Sequence, residues 1–279
     1  MDEVADLKKA YEDREFLLGP DAWLLRVMSE YLEPKARFER FNIENGIVFF
    51  GSARIRSQEA SQARLREIEK QIEWQGGEPT DELWHEYLRA TQDHEKSSYY
   101  EDAAILAERL THWTMQTHRL EQRFYVCSGG GPGIMDAALL GARRAGGENV
   151  ALCIDLDGRE PPSASATEKY TFQFDDFFMR KYWFMHLAQA LVCFPGGFGT
   201  MEEFFEVLTL LQTNKNHRKD LSIVLYGSEF WNDVLNFDAL LKWGMIDEED
   251  TSLFKICDTP DMAYEHLTSS LNQVHFMSL

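Results

Sequence analysis

The sequence predicts an α/β protein with a Rossmann-like open parallel sheet and helices on both faces of that sheet. Short apolar runs of strand length alternate with helical segments along most of the 279 residues, which favours parallel strands joined by right-handed crossovers. Two of these runs end in glycine-rich turns that lead into helices. Hydrophobic residues make up 44% of the chain and aromatic residues 13%, which is typical of a folded core.

Residues 1–44 are predicted to form an N-terminal helical arm. The arm divides into two helices at residues 18–20 (Leu-Gly-Pro), and the second, over residues 21–41, is expected to begin with Asp21 as its cap. Pro34 is expected to interrupt that helix. Its apolar face consists of Leu24, Leu25, Met28 and Leu32. We expect the arm to pack on the core or on a partner subunit.

The core domain is predicted to cover residues 45–279 and to open with a strand over residues 46–50. Residues 51–54 (Gly-Ser-Ala-Arg) then turn off the carboxyl end of this strand. Open α/β sheets bind ligands at that edge, so Ser52 and Arg54 are possible site residues.

Residues 56–97 are predicted to be an inserted helical hairpin. They are rich in Gln, Glu and Arg and are divided by the sequence Gly-Gly-Glu-Pro. A separate long helix is expected over residues 98–122. His112 and His118 lie on it, but neither has a second ligand at metal-binding spacing, so we interpret both as ordinary helix histidines and predict no metal site.

A second strand is predicted over residues 124–127, followed by the glycine turn of residues 128–135 (Ser-Gly-Gly-Gly-Pro-Gly-Ile-Met) and a helix. Such a turn is a weak signal by itself, because glycine turns often only pack a helix against a strand. It does not fit the dinucleotide fingerprint well, so a dinucleotide is not the first choice of ligand. A second glycine turn at a strand end favours one crevice lined by both turns.

Further strands are predicted over residues 150–154 and 170–174. The loop between them, over residues 157–169, could cover the site. Asp175 or Asp176 is expected to cap the helix that follows.

The most informative stretch covers residues 190–212. Residues 190–194 have the pattern of a buried strand, residues 195–199 (Pro-Gly-Gly-Phe-Gly) permit a tight turn, and a helix is expected to begin at Thr200. Free N–H groups in the turn and the helix dipole, roughly half a positive charge, together make an anion site. A phosphate group is the predicted ligand.

Acidic residues follow the predicted anion site directly. Glu202 and Glu203 lie in the first turn of the expected helix, and Glu206 lies one turn further on. One interpretation is structural, because residues 200–203 fit a capping box in which the last Glu bonds back to the cap. The other is functional. Two carboxylates beside a phosphate pocket repel the phosphate, so capping alone is a poor reason for their presence there. Both interpretations stay open from the residues alone.

Arg180 and Lys181 are two cations one element before the glycine turn of this stretch, about one turn inside the helix after Asp176. They could offset the charge of a phosphate or position a base. The alternative interpretation is a pair of exposed helix cations.

The remaining elements are a strand over residues 221–226, a helix over 229–243, a strand over 253–257 and a closing helix over 260–271. Four cysteines fall in strand-like apolar runs without zinc spacing, which predicts core thiols in a reducing compartment. They are Cys127, Cys153, Cys193 and Cys257.

The formal net charge of −19 argues against a nucleic-acid polymer or an anionic membrane as the main partner. No run approaches the roughly 18 apolar residues of a membrane span, and the charged N-terminus lacks an apolar signal region. We therefore expect a cytoplasmic protein.

The sequence resembles the LOG (Lonely Guy) family of cytokinin-activating nucleoside-monophosphate phosphoribohydrolases, whose members were long mislabelled as lysine decarboxylases. Residues 195–203 match the family signature PGGxGTxxE, and an Arg-Lys pair precedes the turn at the family spacing. Residues 50–54 and 128–135 also match. The resemblance covers roughly residues 45–267 without the insertion.

The resemblance implies a homodimer or higher homo-oligomer that needs no cofactor and splits a nucleoside 5′-monophosphate into free base and ribose 5-phosphate. It implies that Arg180 and Glu203 are catalytic. Glu203 would stabilise positive charge on the sugar or act on the attacking water, as carboxylates do in glycoside hydrolysis. The substrate- or phosphate-binding residues would be Gly130, Gly131, Gly133, Met135, Lys181, Gly196, Gly197, Gly199, Thr200 and Glu202.

Two departures from the family pattern bear on the substrate. Residues 177–179 (Phe-Phe-Met) stand where shorter plant-type members carry Met-His, so we expect AMP or purine monophosphates generally rather than a cytokinin nucleotide. The arm and the insertion also extend beyond the short form of the family.

The sequence leaves three alternatives to the hydrolase. The first is a nucleotide-binding sensor without turnover. The second is a lysine decarboxylase that uses pyridoxal phosphate, for which no motif supports a Schiff-base lysine at Lys181, Lys215 or Lys219. The third is a structural protein, for which the arm is the one positive feature.

Overall fold

The computed structural model describes residues 8–156, 161–215 and 221–276. Within these ranges seven strands form one sheet, and all paired neighbours run parallel. The strands are β1 (Asn45–Phe50), β2 (Phe124–Ser128), β3 (Asn149–Ile154), β4 (Thr171–Phe174), β5 (Ala188–Cys193), β6 (Ser222–Tyr226) and β7 (Lys255–Cys257). Their order across the sheet is β4-β3-β2-β1-β5-β6-β7. The predicted open parallel sheet is confirmed.

Helices cover both faces of this sheet, as predicted. Those in the described ranges are α1 (Arg14–Leu18), α2 (Trp23–Phe41), α3 (Gln58–Trp74), α4 (Asp81–Thr117), α5 (Ile134–Arg144), α6 (Phe177–Leu187), α7 (Phe198–Gln212), α8 (Ser228–Val234), α9 (Phe237–Lys242) and α10 (Pro260–Phe276). Helices α4, α5 and α10 pack on one face, and α2, α6, α7 and α8 pack on the other. None of these helices is both long enough and apolar enough to cross a membrane.

Alternate side chains of the central strands enter the two halves of the core. In β1, Ile47 and Phe49 pack toward α4 and α5, while Val48 and Phe50 pack toward α6. Strands buried on both faces appear in a sequence as continuous apolar runs, which is why their positions were predictable. The four cysteines lie in β2, β3, β5 and β7 as buried free thiols, as expected.

The sheet changes winding direction between β1 and β5. From β1 the chain builds outward through β2, β3 and β4, and it then returns so that β5 pairs with the other edge of β1. Such a switch point leaves a crevice outside the carboxyl ends of the two central strands. The glycine turns that follow β1, β2 and β5 all lie at this edge.

The insertion forms the predicted hairpin of α3 and α4, but its second helix does not end where we expected. Helix α4 continues from Asp81 to Thr117, so the prediction of a separate helix beginning near residue 98 is wrong. No Gly or Pro occurs between its ends, and nothing in the chain therefore interrupts it.

Three elements near the C-terminus also differ from their predicted bounds. The single helix predicted over residues 229–243 is divided into α8 and α9, because the Asn236 side chain accepts the Ala239 N–H at 2.9 Å and caps a new helix. Of the predicted strand over residues 253–257, only β7 pairs with β6, and a 3-10 helix precedes it. The closing helix extends beyond its predicted end to Phe276.

Helix α2 continues through Pro34, so the prediction that this proline interrupts it is wrong. The helix begins at Trp23, and Asp21 is not its cap. A proline inside a helix leaves the carbonyl four residues earlier without its usual N–H donor. That carbonyl belongs to Glu30, and it accepts a hydrogen bond from Trp183 Nε1 of α6 at 2.9 Å. A contact with the core thus replaces the lost helical bond.

One side of α2 packs on the core. Phe38 is 4% exposed, and its ring lies 4.6 Å from that of Phe172 and 5.2 Å from that of Trp183. Arg37 donates to the Thr171 carbonyl at 2.8 Å. The predicted apolar face lies on another side of the helix and is exposed in this chain; its members are Leu24, Leu25, Met28 and Leu32.

Replacing Phe38 by alanine is expected to lower the free energy of unfolding by about 3–5 kcal/mol, because a buried ring is lost. Leu32→Ala on the same helix is the matched control. Leu32 is 55% exposed, so its loss should change the free energy by no more than about 0.5 kcal/mol. Urea denaturation of both variants measures the difference. If Phe38→Ala lowered the free energy of unfolding as little as Leu32→Ala does, the result would contradict the packing of α2 on the core.

Candidate active site

Glycine-rich turns meet at the carboxyl ends of β1, β2 and β5, and the turn after β1 lies between the other two. Ser52 N–H donates to the Pro195 carbonyl at 3.0 Å, and Ile134 N–H donates to the Ser52 carbonyl at 3.1 Å. One residue therefore joins the turn after β5 to the turn after β2. The turns that were predicted to share a crevice are adjacent.

Gly133 and Gly196 are among the positions in these turns that require glycine. Gly133 has a φ of +72°, and a Cβ there would lie 2.2 Å from the Ser52 carbonyl oxygen. At Gly196 a Cβ would lie 2.1 Å from Thr200 Oγ1. Because neither residue has a side chain, the backbone of each turn packs directly against its neighbour.

Gly197 and Gly199 have different surroundings. A Cβ at either position would meet no atom of the described residues within 4 Å, so internal packing does not require glycine here. The open space adjoins the N-terminus of α7, where N–H groups lack helical partners and the helix dipole is positive. The turn after β5 therefore has room for an anion.

Helix α7 begins at Phe198, two residues before the predicted start, and Gly197 is its N-cap. Thr200 is therefore the third residue of the helix and not its cap. The capping-box interpretation of residues 200–203 is wrong for this reason. Glu203 lies one turn further along α7, where its carboxylate faces α6.

The most buried ion pair at this edge joins α6 to α7. Arg180 Nη2 lies 3.2 Å from Glu203 Oε1, and the two side chains are 12% and 10% exposed. The Arg180 guanidinium also lies 5.1 Å from the ring centre of Phe177 and 5.6 Å from that of Phe184. Its Nε is buried without a hydrogen-bond partner among the described residues. The interpretation of Arg180 as an exposed helix cation is wrong.

Burial dominates the electrostatics of Glu203. Desolvation raises its pKa, Arg180 and Lys181 oppose the rise, and Glu202 and Glu206 add to it, so that the pKa is about 7. The cost of removing a carboxylate from water exceeds the attraction of the guanidinium at this site. Glu203 is therefore a mixture of carboxylate and carboxylic acid near neutral pH, which suits a group that transfers protons.

Lys181, the next residue of α6, contacts two further carboxylates of α7. Its Nζ pairs with Glu202 and lies 3.5 Å from Glu206 Oε2. The hydrogen bond to Glu202 raises the pKa of Lys181, so the amine is held as an ammonium ion. Lys181 is 19% exposed, and Glu202 is 54% exposed. Both cations of α6 thus face the acidic side of α7.

The turn after β2 reaches the same place through Met135. A Cβ at Gly129 would lie 2.7 Å from Met135 Sδ and 3.8 Å from Arg180 Nη1, and a Cβ at Gly131 would lie 2.9 Å from Met135 Cε. The absence of side chains at these glycines leaves room for the methionine. Met135 and Arg180 therefore border the same turn.

Gly130 of this turn contacts the described part of the predicted covering loop. Its φ is +71°, and a Cβ would lie 2.3 Å from Cys153 Sγ. Ser163 N–H donates to the Gly130 carbonyl at 2.8 Å. Residues 157–160 of the predicted loop lie outside the described residues.

The two possible site residues of the first turn have unequal positions. Ser52 lies between the other turns, and its Oγ accepts the N–H of Arg54 at 3.1 Å. Arg54 itself is exposed. The structure therefore brings Ser52, but not the Arg54 side chain, to the centre of the turns.

The structure adds Asp136, which no sequence pattern indicates. Its Oδ2 accepts the Tyr100 hydroxyl at 2.5 Å, and its Oδ1 accepts the Ser163 hydroxyl. These bonds tie the start of α5 to α4 and to the loop beside Gly130. Its partners are 36 and 27 positions away in the chain, and no local pattern announces such contacts.

Neither Lys181 nor Lys215 fits a pyridoxal phosphate site. A Schiff-base lysine needs an uncharged amine, whereas carboxylates hold Lys181 as an ammonium ion. Lys215 is exposed beyond the end of α7, and Lys219 lies outside the described residues. Within the described ranges no group of three or more His, Cys, Asp or Glu side chains could hold a metal ion.

Comparison with known proteins identifies relatives of the part of the chain that carries this site. The family model described as "Possible lysine decarboxylase" matches residues 135–267. The pyrimidine/purine nucleotide 5′-monophosphate nucleosidase of Escherichia coli is 30% identical over 108 residues, which are 37% of this chain and 24% of the relative. The chain therefore spans about a quarter of the length of the relative that it matches.

Two solved structures are similar to this chain at 19% identity. The Moco carrier protein from Chlamydomonas reinhardtii has a TM-score of 0.41, with 62% of this chain and 90% of that chain covered. A structural-genomics target determined by X-ray crystallography has a TM-score of 0.43, with 62% and 89% covered. The family match contains the ion pair and the turn after β5. The PGGxGTxxE signature and the preceding Arg-Lys pair, by which the sequence resembles the LOG family, both lie within this match.

Proposed function

We propose that this protein hydrolyses the N-glycosidic bond of AMP, or of a related purine nucleoside 5′-monophosphate, to free base and ribose 5-phosphate. The observation that carries the proposal is the buried Arg180–Glu203 pair, 3.2 Å apart, beside a glycine turn with open space above it. The resemblance to the LOG family and the name of the Escherichia coli relative support the same class of reaction.

The 5′-phosphate is assigned to the N-terminus of α7. Gly197 and Gly199 leave room for its oxygens, and the N–H groups of the first turn would donate to them. The Thr200 hydroxyl lies against Gly196 at the base of the same turn. Binding energy from a phosphate held there would orient the sugar toward the α6–α7 ion pair.

Glu203 is assigned the chemical role. As the base departs, positive charge develops at C1′ of the ribose, and a nearby carboxylate stabilises it or takes a proton from the attacking water. The water supplies the hydroxyl group that C1′ gains, and its proton balances the departing base. Arg180 would hold the Glu203 carboxylate in place. Lys181 and Glu202 would set the charge around it.

Phe177 is assigned to the side of the pocket that receives the base. Its ring is half exposed and lies against the Arg180 guanidinium. An exposed aromatic face beside the catalytic pair offers a stacking surface for a purine. Assembly as a homodimer or higher homo-oligomer and residence in the cytoplasm belong to the same proposal.

The first test is incubation of the purified protein with AMP, GMP, CMP and UMP, followed by chromatography of free bases. We expect adenine and ribose 5-phosphate from AMP. Glu203→Gln should lower kcat by at least about 10²-fold, because it removes a proton-transfer group, while AMP still binds. The matched control is Glu229→Gln, which changes an exposed glutamate of α8 and should leave kcat unchanged.

Release of no base from any nucleotide, with AMP still bound, would replace the hydrolase by a nucleotide sensor. If the protein neither turned over nor bound any of these nucleotides, that result would contradict the phosphate site itself.

The second test is the pH dependence of kcat. Because the reaction needs the Glu203 carboxylate and its pKa is about 7, kcat should be low at acidic pH and rise through pH 7 to a plateau. Lys181→Gln removes a charge that lowers the pKa of Glu203, so the midpoint should move to higher pH. Glu202→Gln removes a charge that raises this pKa, so the midpoint should move to lower pH. Shifts in the same direction would contradict the assignment.

A further inference from the structure

The N-terminal arm contacts the helix that carries Arg180. Glu30 of α2 accepts two backbone hydrogen bonds at the start of α6, from Asp175 N–H at 2.7 Å and from Asp176 N–H at 3.4 Å. The donors are 145 and 146 positions away in the chain. A side chain of the arm thus binds the N–H groups of the two residues that immediately precede the helix.

No side chain of the α6 segment caps the N-terminus of this helix. Asp176 occupies the N-cap position, but its side chain makes no capping hydrogen bond. A carboxylate near the N-terminus of a helix complements the helix dipole. Glu30 supplies such a carboxylate from α2, where it binds the N–H groups of the N-cap residue Asp176 and of Asp175 before it.

The backbone of Glu30 holds α6 at a second point. Because Pro34 has no N–H, the Glu30 carbonyl is free to accept Trp183 Nε1, at 2.9 Å. Next to it, the Tyr31 ring lies 5.7 Å from that of Trp183. Asp175 precedes Arg180 in the chain and Trp183 follows it. Glu30 therefore makes hydrogen bonds on both sides of this arginine.

We propose that Glu30 is a positioning residue for the hydrolysis, which holds α6 so that the Arg180 guanidinium meets the Glu203 carboxylate. The inference rests on the proposed function, and it gives the arm a part in the active site. Glu30 contacts neither residue of the pair directly and acts through the placement of α6.

Loss of the Glu30 carboxylate has two expected consequences at the ion pair. A shift of about 1 Å in a catalytic group can cost on the order of 10²-fold in rate, so kcat should fall while KM for the nucleotide changes little. Arg180 also lowers the pKa of Glu203. Withdrawal of the guanidinium should therefore move the acidic limb of the rate profile to higher pH.

The test compares four full-length variants with the wild type. Glu30→Ala removes the acceptors, and Glu30→Asp keeps the charge on a side chain one methylene shorter. Glu30→Gln keeps an oxygen that can accept the Asp175 N–H. Glu39→Ala is the matched control, because Glu39 is a 68% exposed glutamate of α2 that pairs with Lys35 of the same helix. Circular dichroism and thermal melting establish that each variant is folded.

The readouts are kcat, KM, the pH midpoint of kcat, and the Glu203 titration followed by carbon-13 NMR. Glu30→Ala and Glu30→Asp should lower kcat at least about tenfold, within the range expected for a misplaced group, and raise both the midpoint and the Glu203 pKa. Glu30→Gln should recover most of the kcat, and Glu39→Ala should match the wild type. If Glu30→Ala does not fold, the comparison of Glu30→Asp with Glu30→Gln tests the positioning role.

Wild-type values in Glu30→Ala and Glu30→Asp, or equal losses in Glu39→Ala that follow melting temperature alone, would overturn the inference. If the wild type releases no base, the proposed function fails, and the NMR titration still decides whether Glu30 sets the environment of Glu203. If the wild type turns over and the variants titrate and react like it, the positioning role fails alone.

Discussion

Burial of the Glu203 carboxylate against Arg180 is the constraint on which the rest of the site depends. A carboxylate that is 10% exposed loses most of its hydration, and a single guanidinium does not restore it. The consequence is a pKa of about 7, which is useful only if the pair keeps its geometry. Arg180 and Glu203 come from helices before and after β5, so that geometry depends on how α6 and α7 are held against the sheet.

The fold holds these helices by different means. Helix α7 follows β5 through a turn in which Gly196 packs on Thr200 and Pro195 bonds to Ser52, so its start is tied to the centre of the sheet. Glu30, on an arm outside the core sheet, accepts hydrogen bonds from the N–H groups of Asp175 and Asp176 immediately before α6. Pro34 contributes to the same contact, because it leaves the Glu30 carbonyl available to Trp183. The arm is therefore connected to the site through these hydrogen bonds to the α6 segment.

Much of the sheet and of the site could be predicted from the sequence, because buried strands and glycine turns are local signals. The Arg180–Glu203 pairing could be anticipated from the family signature. The start of α7 at Phe198 could not, since Thr200 is the better cap by type. The continuation of α2 through Pro34 depends on a donor 153 positions beyond Glu30, and the Asp136 contacts are similarly distant. In α2 a long-range hydrogen bond thus replaces the local bond that the proline removes.

The most direct measurement is a crystal structure of Glu203→Gln with AMP bound, since the variant should bind the nucleotide without cleaving it. The account predicts the 5′-phosphate against the N–H groups of Gly197 and Gly199, with ribose C1′ about 3–3.5 Å from the side chain at position 203, as a near-attack arrangement requires. A phosphate bound away from the α7 N-terminus, or a ribose that faces away from the Arg180 side of the crevice, would contradict it.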